Sequence, residues 1–202
     1  MRTLLLSRLI AALGTLLLTG CSDPQLLGIH SEQTLSLANR TTLDAAGSGQ
    51  AAYFCRRVIC AGDDSDNNAV RGLMEFDLAG IPAGQGSQLV SATLRLYQGE
   101  SSRTYAALQN LVIEQIQVAN LQDATAFNAP ALDVLTSEVP GEGFLEIDVS
   151  KALKRTLALG GAVVQFRLRF SRPSNNDNLS NLALFSTADE YAPQLILRFA
   201  KP

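Results

Sequence analysis

The chain has 202 residues, of which 47% are hydrophobic and 17% are charged. This balance is typical of a folded protein and excludes an intrinsically disordered chain. The first 20 residues carry Arg2 and Arg8 and no acidic residue, so the remainder has 14 basic and 19 acidic side chains and a net charge of −5. A general polyanion binder should be basic, and nucleic acid is therefore not expected as a partner.

The N-terminus has the layout of a secretory signal. A basic segment ending at Arg8 precedes an apolar stretch over residues 9–18, and residues 18–21 read Leu-Thr-Gly-Cys. These four residues resemble a bacterial lipobox, which directs lipid onto the cysteine thiol. One alternative is an uncleaved anchor helix, but the apolar stretch is shorter than the ~20 residues that a membrane span needs. The other is a plain secretory signal, which does not require the cysteine.

We therefore predict a signal peptide over residues 1–20, lipidation of Cys21, a tether over residues 21–32 and a single domain over residues 33–202. A domain of this size buries roughly 70% of its unfolded surface. The lipid makes the membrane a partner, and the resemblance to lipoproteins implies a place in the bacterial cell envelope. It implies the outer membrane, because Ser22 rather than an aspartate follows the cysteine.

Two cysteines remain for the domain, and we predict that they form a disulfide. Cys55 and Cys60 are separated by four residues, a spacing at which a tight reversal brings the two Cα atoms within bonding reach. In an oxidising compartment an even pair of cysteines is usually disulfide-bonded. The competing interpretation is a zinc site, which needs more ligands than the chain's only histidine, His30 in the predicted tether, can add.

The densest polar segment reads Gly-Asp-Asp-Ser-Asp-Asn-Asn over residues 62–68. Carboxylates and amides are hard oxygen ligands of the kind that calcium prefers, which makes Asp63, Asp64 and Asp66 candidate calcium ligands. Their spacing differs from that of an EF-hand loop. The competing interpretation is a solvated hairpin connection. The segment Ser-Asn-Asn-Asp-Asn over residues 174–178 carries the same two interpretations.

Short segments of alternating apolar and polar residues recur along the chain and indicate strands with one face in a core. The predicted strands cover residues 34–38, 51–55, 72–78, 92–97, 114–118, 145–149, 164–170, 182–186 and 194–199. A short helix is predicted with Ser150 as its N-cap, Leu153 and Leu157 on one face and Gly160 at its end. About nine strands with one helix indicate an all-β, antiparallel two-sheet sandwich.

Four segments resemble, in order and spacing, the DNRLRE-type domains of secreted bacterial proteins. Residues 71–84 resemble their R-x-L-x-F-D-L-x-x-I-P-x-G segment, and residues 91–97 resemble the strand that follows it. Residues 145–150 resemble their D-V-T entry to a short helix, and residues 185–195 their closing F-x-S-x-E-x-x-x-x-P-x-L strand. These domains are similar to jelly-roll carbohydrate-binding modules, so the resemblance implies a jelly-roll-like sandwich and glycan binding.

Sugar binding usually needs an aromatic platform with polar groups around it. Tyr97, Arg95, Arg167 and Arg169 fall on outward strand positions and would form a patch suited to carboxylated sugars if their strands were neighbours. The competing interpretation is that they are ordinary exposed residues paired across strands. The further aromatic and basic candidates are Tyr53, Tyr105, Tyr191 and Arg103.

The leading prediction is a lipid-anchored envelope protein that binds a polysaccharide or glycan. The alternative is a structural or adhesion module that binds another envelope protein. An enzyme is not expected, because the only histidine lies in the predicted tether and cannot serve a Ser-His-Asp or Cys-His arrangement. A concave, aromatic sheet face would favour a glycan, and a flat apolar patch would favour a protein partner.

Overall fold

The computed structural model describes residues 30–47, 49, 51, 54–82, 84–99, 104–138 and 141–200. The predicted signal peptide and lipidation site, Cys21, lie outside the described residues. The described part contains an α-helix, α1 (Ser150–Ala158), and ten strands: β1 (His30–Asp44), β2 (Val58–Asp63), β3 (Ala69–Asp77), β4 (Leu89–Gln98), β5 (Leu111–Ile116), β6 (Asp133–Glu138), β7 (Gly143–Asp148), β8 (Val163–Phe170), β9 (Asn181–Ser186) and β10 (Gln194–Ala200). The prediction of an all-β fold with a short helix is confirmed. No helix within these ranges is long and apolar enough to cross a membrane.

Six strands close into a ring instead of forming two separate sheets. The antiparallel pairs run β1–β10–β4–β9–β2–β3, and β3 returns to β1. The ring closes because β1, which is 15 residues long, pairs with both β10 and β3. It pairs with β10 through residues 30–36 and with β3 through residues 37–44, with a register shift between Leu37 and Asn39. Residues 30–32 of the predicted tether thus belong to β1.

The remaining strands extend this ring on two sides. β8, β5 and β6 continue the sheet beyond β3, and β7 pairs with β4. The interior is filled by apolar side chains, among which Phe76, Phe166 and Phe185 are fully buried. The rings of Phe76 and Phe166 meet edge-to-face with centroids 6.1 Å apart, a favoured aromatic geometry.

β4 has the alternation that its sequence predicts. Leu94 and Leu96 are buried, while Arg95 and Tyr97 on the opposite face are partly exposed. Because side chains alternate across a strand, the residues of β4 that face away from the core form one row on the outside of the molecule.

β8 departs from the expectation that one of its faces meets water, since residues 164–168 are all buried. The segment over residues 117–129 covers the outer face of this strand. Arg167 donates hydrogen bonds to the carbonyls of Phe127 and Ala129, and Gln165 exchanges hydrogen bonds with the backbone of Val118. Arg167 therefore points away from the interior of the ring, as expected, but it is not exposed.

The structure describes residues 51, 54 and 55 of the predicted strand over residues 51–55, and none of these three is in a strand. The amide of Cys55 donates a hydrogen bond to the carbonyl of Ala51, four residues earlier, which is the geometry of a helical turn. A turn over residues 55–57 follows, and β2 begins only at Val58. The predicted disulfide is confirmed: Cys55 and Cys60 are bonded, with their Cα atoms 6.0 Å apart.

The start of α1 also differs in detail from the prediction. Val149, not Ser150, occupies the N-cap position. The Ser150 hydroxyl accepts a hydrogen bond from the amide of Ala92 on β4 at 2.9 Å, and Asp148 accepts one from the Ser150 amide at 2.8 Å. Ser150 thus joins the helix to β4, and Asp148 supplies the oxygen that the helix start requires.

Candidate functional site

An exposed group of aromatic side chains lies on the outer face of β4 and β7. We call this group, together with its neighbouring charged pair, the aromatic surface, and it consists of Tyr97, Phe144, Tyr191, Arg95 and Glu146. Tyr97 of β4 lies directly opposite Phe144 of β7, and Tyr191 comes from the turn before β10. Phe144 is 47% exposed and Tyr191 is 38% exposed, so both rings are accessible to a ligand.

The three rings contact one another. Tyr97 meets Phe144 edge-to-face with centroids 5.0 Å apart, and Tyr191 at 4.3 Å in a tilted arrangement. Phe144 and Tyr191 lie 6.1 Å apart with their planes at 28°. Rings that are held in place before binding lose little conformational freedom when a ligand arrives. The aromatic surface is therefore preformed.

Arg95 lies beside these rings, two residues before Tyr97 on the same face of β4. Its Cζ atom is 3.8 Å from the centroid of the Phe144 ring, which is a cation–π contact. Its Nε atom is 3.6 Å from Oε1 of Glu146, too far for a hydrogen bond, and this Nε has no hydrogen-bond partner. This Nε atom is buried, so its unused hydrogen is not accessible to a ligand.

The charged groups around the aromatic surface have a slightly negative net charge. The negative charge of Glu190 raises the pKa of Tyr191, and a hydrogen bond with Glu190 and the proximity of Tyr97 act in the same direction. The Tyr191 hydroxyl therefore stays protonated at neutral pH. Near the rings, one guanidinium is set against the carboxylates of Glu146 and Glu190, a balance that does not attract anions.

The other two predicted arginines, Arg167 and Arg169, lie on a strand that is not paired with β4. β4 pairs mainly with β10 and β7, whereas β8 pairs with β3 and β5. Arg167 and Arg169 of β8 are therefore not brought together with Tyr97 and Arg95. The condition for a combined patch, that these strands be neighbours, is not met.

Arg167 and Arg169 instead bind the carboxylate of Glu114 on β5. Arg167 Nε donates to Oε2 at 2.8 Å, and Arg169 Nη2 donates to Oε1 at 2.7 Å. Burial opposes ionisation of Glu114, but the hydrogen bonds from Arg169 and Arg167 outweigh it and lower the pKa of this carboxyl. Arg167 also donates to the carbonyls of Phe127 and Ala129 and so holds the segment over residues 117–129 onto the sheet, whereas the remaining donor of Arg169 goes to the carbonyl of Phe170.

Arg71 of β3 adds a third cation to this cluster. Its Cζ atom lies 4.0 Å from the centroid of the Phe127 ring, and its guanidinium donates to the carbonyl of Phe127 and to Asn128. Burial, followed by the charges of Arg167 and Arg169, lowers the pKa of Arg71 to about 10. Arg71 therefore remains charged at neutral pH and fixes the same covering segment.

The two polar segments that were each considered as calcium loops lie side by side. The side-chain amide of Asn67 donates to Asn178 Oδ1 at 2.6 Å, and the backbone amide of Asn178 donates to Asn67 Oδ1 at 3.0 Å. Two stretches of chain that are 111 positions apart are thus joined at one end of the molecule.

The predicted set of calcium ligands is not gathered into one site. Asp64 uses its carboxylate within its own loop, accepting from the amides of Asp66 and Asn68. Asp66 is exposed, whereas Asp63 is fully buried at the end of β2. Across the described ranges, no group of three or more His, Cys, Asp and Glu side chains is arranged to hold a metal ion.

Of the remaining aromatic and basic candidates, one lies in the core and two lie outside the described residues. Tyr105 is buried, packs against Phe170 at 5.8 Å and accepts a hydrogen bond from Gln98. Tyr53 and Arg103 lie outside the described residues. Sequence reasoning missed Phe144 and Glu146, although both continue the outward phase of the predicted strand over residues 145–149.

A second accessible surface lies beside the disulfide. A cavity of about 360 Å³ is lined there by Phe54, Cys55, Val70, Leu182 and Leu184, among others. Phe54 is 74% exposed. The lining of this cavity is mostly apolar, although Asp64, Ser65 and Ser180 also contribute to it. It shares no residue with the aromatic surface, since its strand residues come from β2, β3 and β9.

No known family model matches the chain, and a search of curated proteins finds no match. The resemblance to DNRLRE-type domains therefore stays a prediction. A functional assignment has to come from the chemistry of the surfaces described above.

Proposed function

We propose that this protein is a lipid-anchored protein of the bacterial cell envelope that binds a polysaccharide or glycan without catalysis. The observation that carries the proposal is the aromatic surface, in which three preformed rings are flanked by Arg95 and Glu146. A sugar ring presents an apolar face and a rim of hydroxyls, which complements aromatic rings with hydrogen-bonding groups beside them.

The charges around these rings decide between a carboxylated and a neutral saccharide as the ligand. A patch suited to carboxylated sugars required Arg167 and Arg169, and both are committed to Glu114 on another wall. The aromatic surface has Arg95 against two nearby carboxylates, so a carboxylated sugar would meet like charge. We therefore favour a neutral saccharide, whose hydroxyls accept from Arg95 and donate to Glu146.

The proposed anchor fits this role. Eight residues separate Cys21 from the first residue of β1, His30. Fully extended, such a tether spans at most about 30 Å. Lipidation of Cys21, which the resemblance of residues 18–21 to a lipobox supports, would keep the domain close to the membrane and within reach of envelope glycans. Ser22, in place of an aspartate after the cysteine, supports the outer membrane as its location.

We also infer that the ring of strands is a jelly-roll-like sandwich whose two walls are joined by β1 on one side and by the β9–β2 pair on the other. One wall contains β10, β4 and β7 with the first half of β1, and the other contains β3, β8, β5 and β6 with its second half. The resemblance of residues 71–84 and 91–97 to DNRLRE-type segments supports this inference, because these segments contain most of β3 and β4.

The alternative function, a structural or adhesion module for another envelope protein, has its own supporting observation. The apolar cavity beside the disulfide and the exposed ring of Phe54 offer a surface of the kind that protein partners cover. The two functions use different surfaces, so one pair of substitutions separates them.

A glycan array probed with the full chain in mild detergent tests the proposal. We expect binding to a defined class of neutral saccharides, and Phe144→Ala should weaken it at least about tenfold, which corresponds to roughly 1.4 kcal/mol. Phe54→Ala removes another exposed ring, on a different surface, and should leave glycan binding unchanged. Absence of binding to any glycan, with capture of an envelope protein that Phe54→Ala abolishes, would support the alternative.

A further inference from the structure

We infer that the junction of the two polar loops is a calcium site, built around Asp63 of β2 and Asn181 of β9 with the loop over residues 174–179. This site is independent of the proposed glycan binding, since it lies at the β2–β9 pair and uses none of the residues of the aromatic surface. It also differs from the candidate set Asp63, Asp64 and Asp66 that the sequence offered, because only Asp63 is common to both.

Two buried oxygen atoms without partners mark the site. Asp63 and Asn181 face each other directly across the β2–β9 ladder, and both are 0% exposed. Oδ1 of Asp63 and Oδ1 of Asn181 are buried, and neither accepts a hydrogen bond. Buried polar atoms almost always have a partner, and a buried carboxylate is strongly unfavourable without one. A cation can serve both oxygens at once, as a water molecule can, but only a cation also offsets the negative charge of Asp63.

The loop over residues 174–179 adds oxygen atoms at the same place. Nδ2 of Asn181 lies 3.4 Å from Asn175 Oδ1, 3.2 Å from Asp177 Oδ1 and 3.2 Å from the carbonyl oxygen of Leu179. A side-chain amide has two hydrogens to donate, so the three acceptors around it exceed what Asn181 can satisfy. Asn175 Oδ1 and Asp177 Oδ1 also accept from the backbone amides of Asp177 and Leu179, and the junction gathers more oxygen acceptors than Asn181 alone can serve.

A hydrogen bond ties this loop to the buried carboxylate. The backbone amide of Asn175 donates to Asp63 Oδ2 at 3.2 Å, which places the other oxygen of the same carboxylate next to the loop. Asp63 and Asp177 bring two negative charges to the junction. The oxygen atoms of Asn181, Asn175 and Leu179 supply neutral ligands.

The donor set indicates calcium. Calcium takes six to eight oxygen ligands from carboxylates, amides and backbone carbonyls in flexible geometries, whereas magnesium needs a nearly ideal octahedron. Zinc and copper favour thiolates and imidazoles, and the atoms gathered here are all oxygens. Loops of this kind bind calcium with Kd values of roughly 10⁻⁴ to 10⁻³ M in extracellular modules.

Calcium titration of the chelator-treated full chain tests the inference. At about 10 mM CaCl₂, roughly a hundred times a Kd of 10⁻⁴ M, we expect Tm to rise by roughly 5 °C or more. EDTA should reverse the rise, and MgCl₂ should produce a smaller one. An unchanged Tm together with no heat of calcium binding in calorimetry would overturn the site, and would leave a buried water molecule as the partner of Asp63.

Matched substitutions locate the site. Asp63→Asn keeps the shape of the side chain and adds a donor for Asn181 Oδ1, so the variant should be at least as stable as the wild type in EDTA and should lose the calcium response. Asp66→Asn removes the same charge from an exposed position of the same loop and should keep the full response. If Asp63→Asn does not fold, Asp177→Asn on the exposed loop should weaken calcium binding about tenfold or more. Calcium responses of wild-type size in Asp63→Asn or in Asp177→Asn would contradict the inference.

Discussion

Glu114 and Arg167 form a buried ion pair in which Arg167 Nε lies 2.8 Å from Glu114 Oε2. The two side chains are only 3% and 5% exposed, respectively. Removal of one partner from such a pair leaves an uncompensated charge and costs roughly 3–5 kcal/mol. We predict a loss of this size for Glu114→Gln in urea unfolding at neutral pH. Glu146→Gln breaks the exposed pair with Arg95 and should cost less than about 1 kcal/mol. Equal losses in the two variants would contradict this account.

The same carboxylate makes stability depend on pH. Its hydrogen bonds to the two arginines outweigh its burial and hold the pKa of Glu114 below its usual value of 4.5 in the folded protein. A lowered folded-state pKa contributes stability that is fully present above the unfolded value and is lost as the pH falls through the folded value. The difference in unfolding free energy between wild type and Glu114→Gln should therefore be constant near neutral pH and shrink below about pH 4.5. A difference that stays constant down to about pH 3 would show that Glu114 does not titrate in this way.

Gly62 allows β2 to approach β9 closely. Its φ is +150°, and a Cβ atom built at this position would lie 1.9 Å from the carbonyl oxygen of Asn181. Gly62→Ala must push the two strands apart, and we expect it to lower the unfolding free energy by roughly 1–3 kcal/mol. Gly141→Ala is the matched control, since a Cβ there meets nothing within 4 Å. The explanation fails if both variants have the stability of the wild type.

The Cys55–Cys60 disulfide closes a short loop, with a sequence separation of 5. Loop-closure entropy for so few residues gives a contribution of about 2 kcal/mol. We predict that reductant lowers the urea midpoint of the wild type and leaves the Cys55→Ser/Cys60→Ser double variant unchanged. A double variant as stable as the oxidised wild type would show that the bond does not stabilise the fold.

The proposed lipidation of Cys21 predicts membrane association that depends on one thiol. In cells expressing the full chain, the wild type should label with a radioactive fatty acid and sediment with membranes. Cys21→Ser should do neither, because the variant lacks the thiol that would receive the acyl groups. Membrane sedimentation of Cys21→Ser at the wild-type level would exclude a lipid anchor at this residue.

The sequence predicts β4 well because its side chains obey a single local rule. Leu94 and Leu96 alternate with Arg95 and Tyr97, and the structure places them on opposite faces as expected. The turn at Cys55 is different, since a local hydrogen bond to Ala51 determines it and the five-residue pattern does not. Alternating apolar and polar residues form a strand only where another strand is available to pair with them.

The environment of Arg167 was not predictable from the pattern of β8. Alternation indicates which side of a strand faces the interior, but it does not indicate what covers the other side. Here the cover comes from Phe127 and Ala129, about 40 positions away, and it converts an outward position into a buried one. The junction of the two polar loops was missed for the same reason. Each loop can be recognised in the sequence, but the contact between them joins distant parts of the chain and cannot.

The most direct test of the central claim is a fluorescence titration of Phe144→Trp. The chain has no tryptophan, so this substitution places a single reporter among the rings of Tyr97 and Tyr191 and keeps an aromatic side chain there. With the saccharide identified on the array, we predict a saturable change in emission with a Kd within a few-fold of the wild-type value from calorimetry, and no change in Phe54→Trp. Binding at full affinity with unchanged emission from the tryptophan introduced by Phe144→Trp would place the glycan elsewhere and contradict the account.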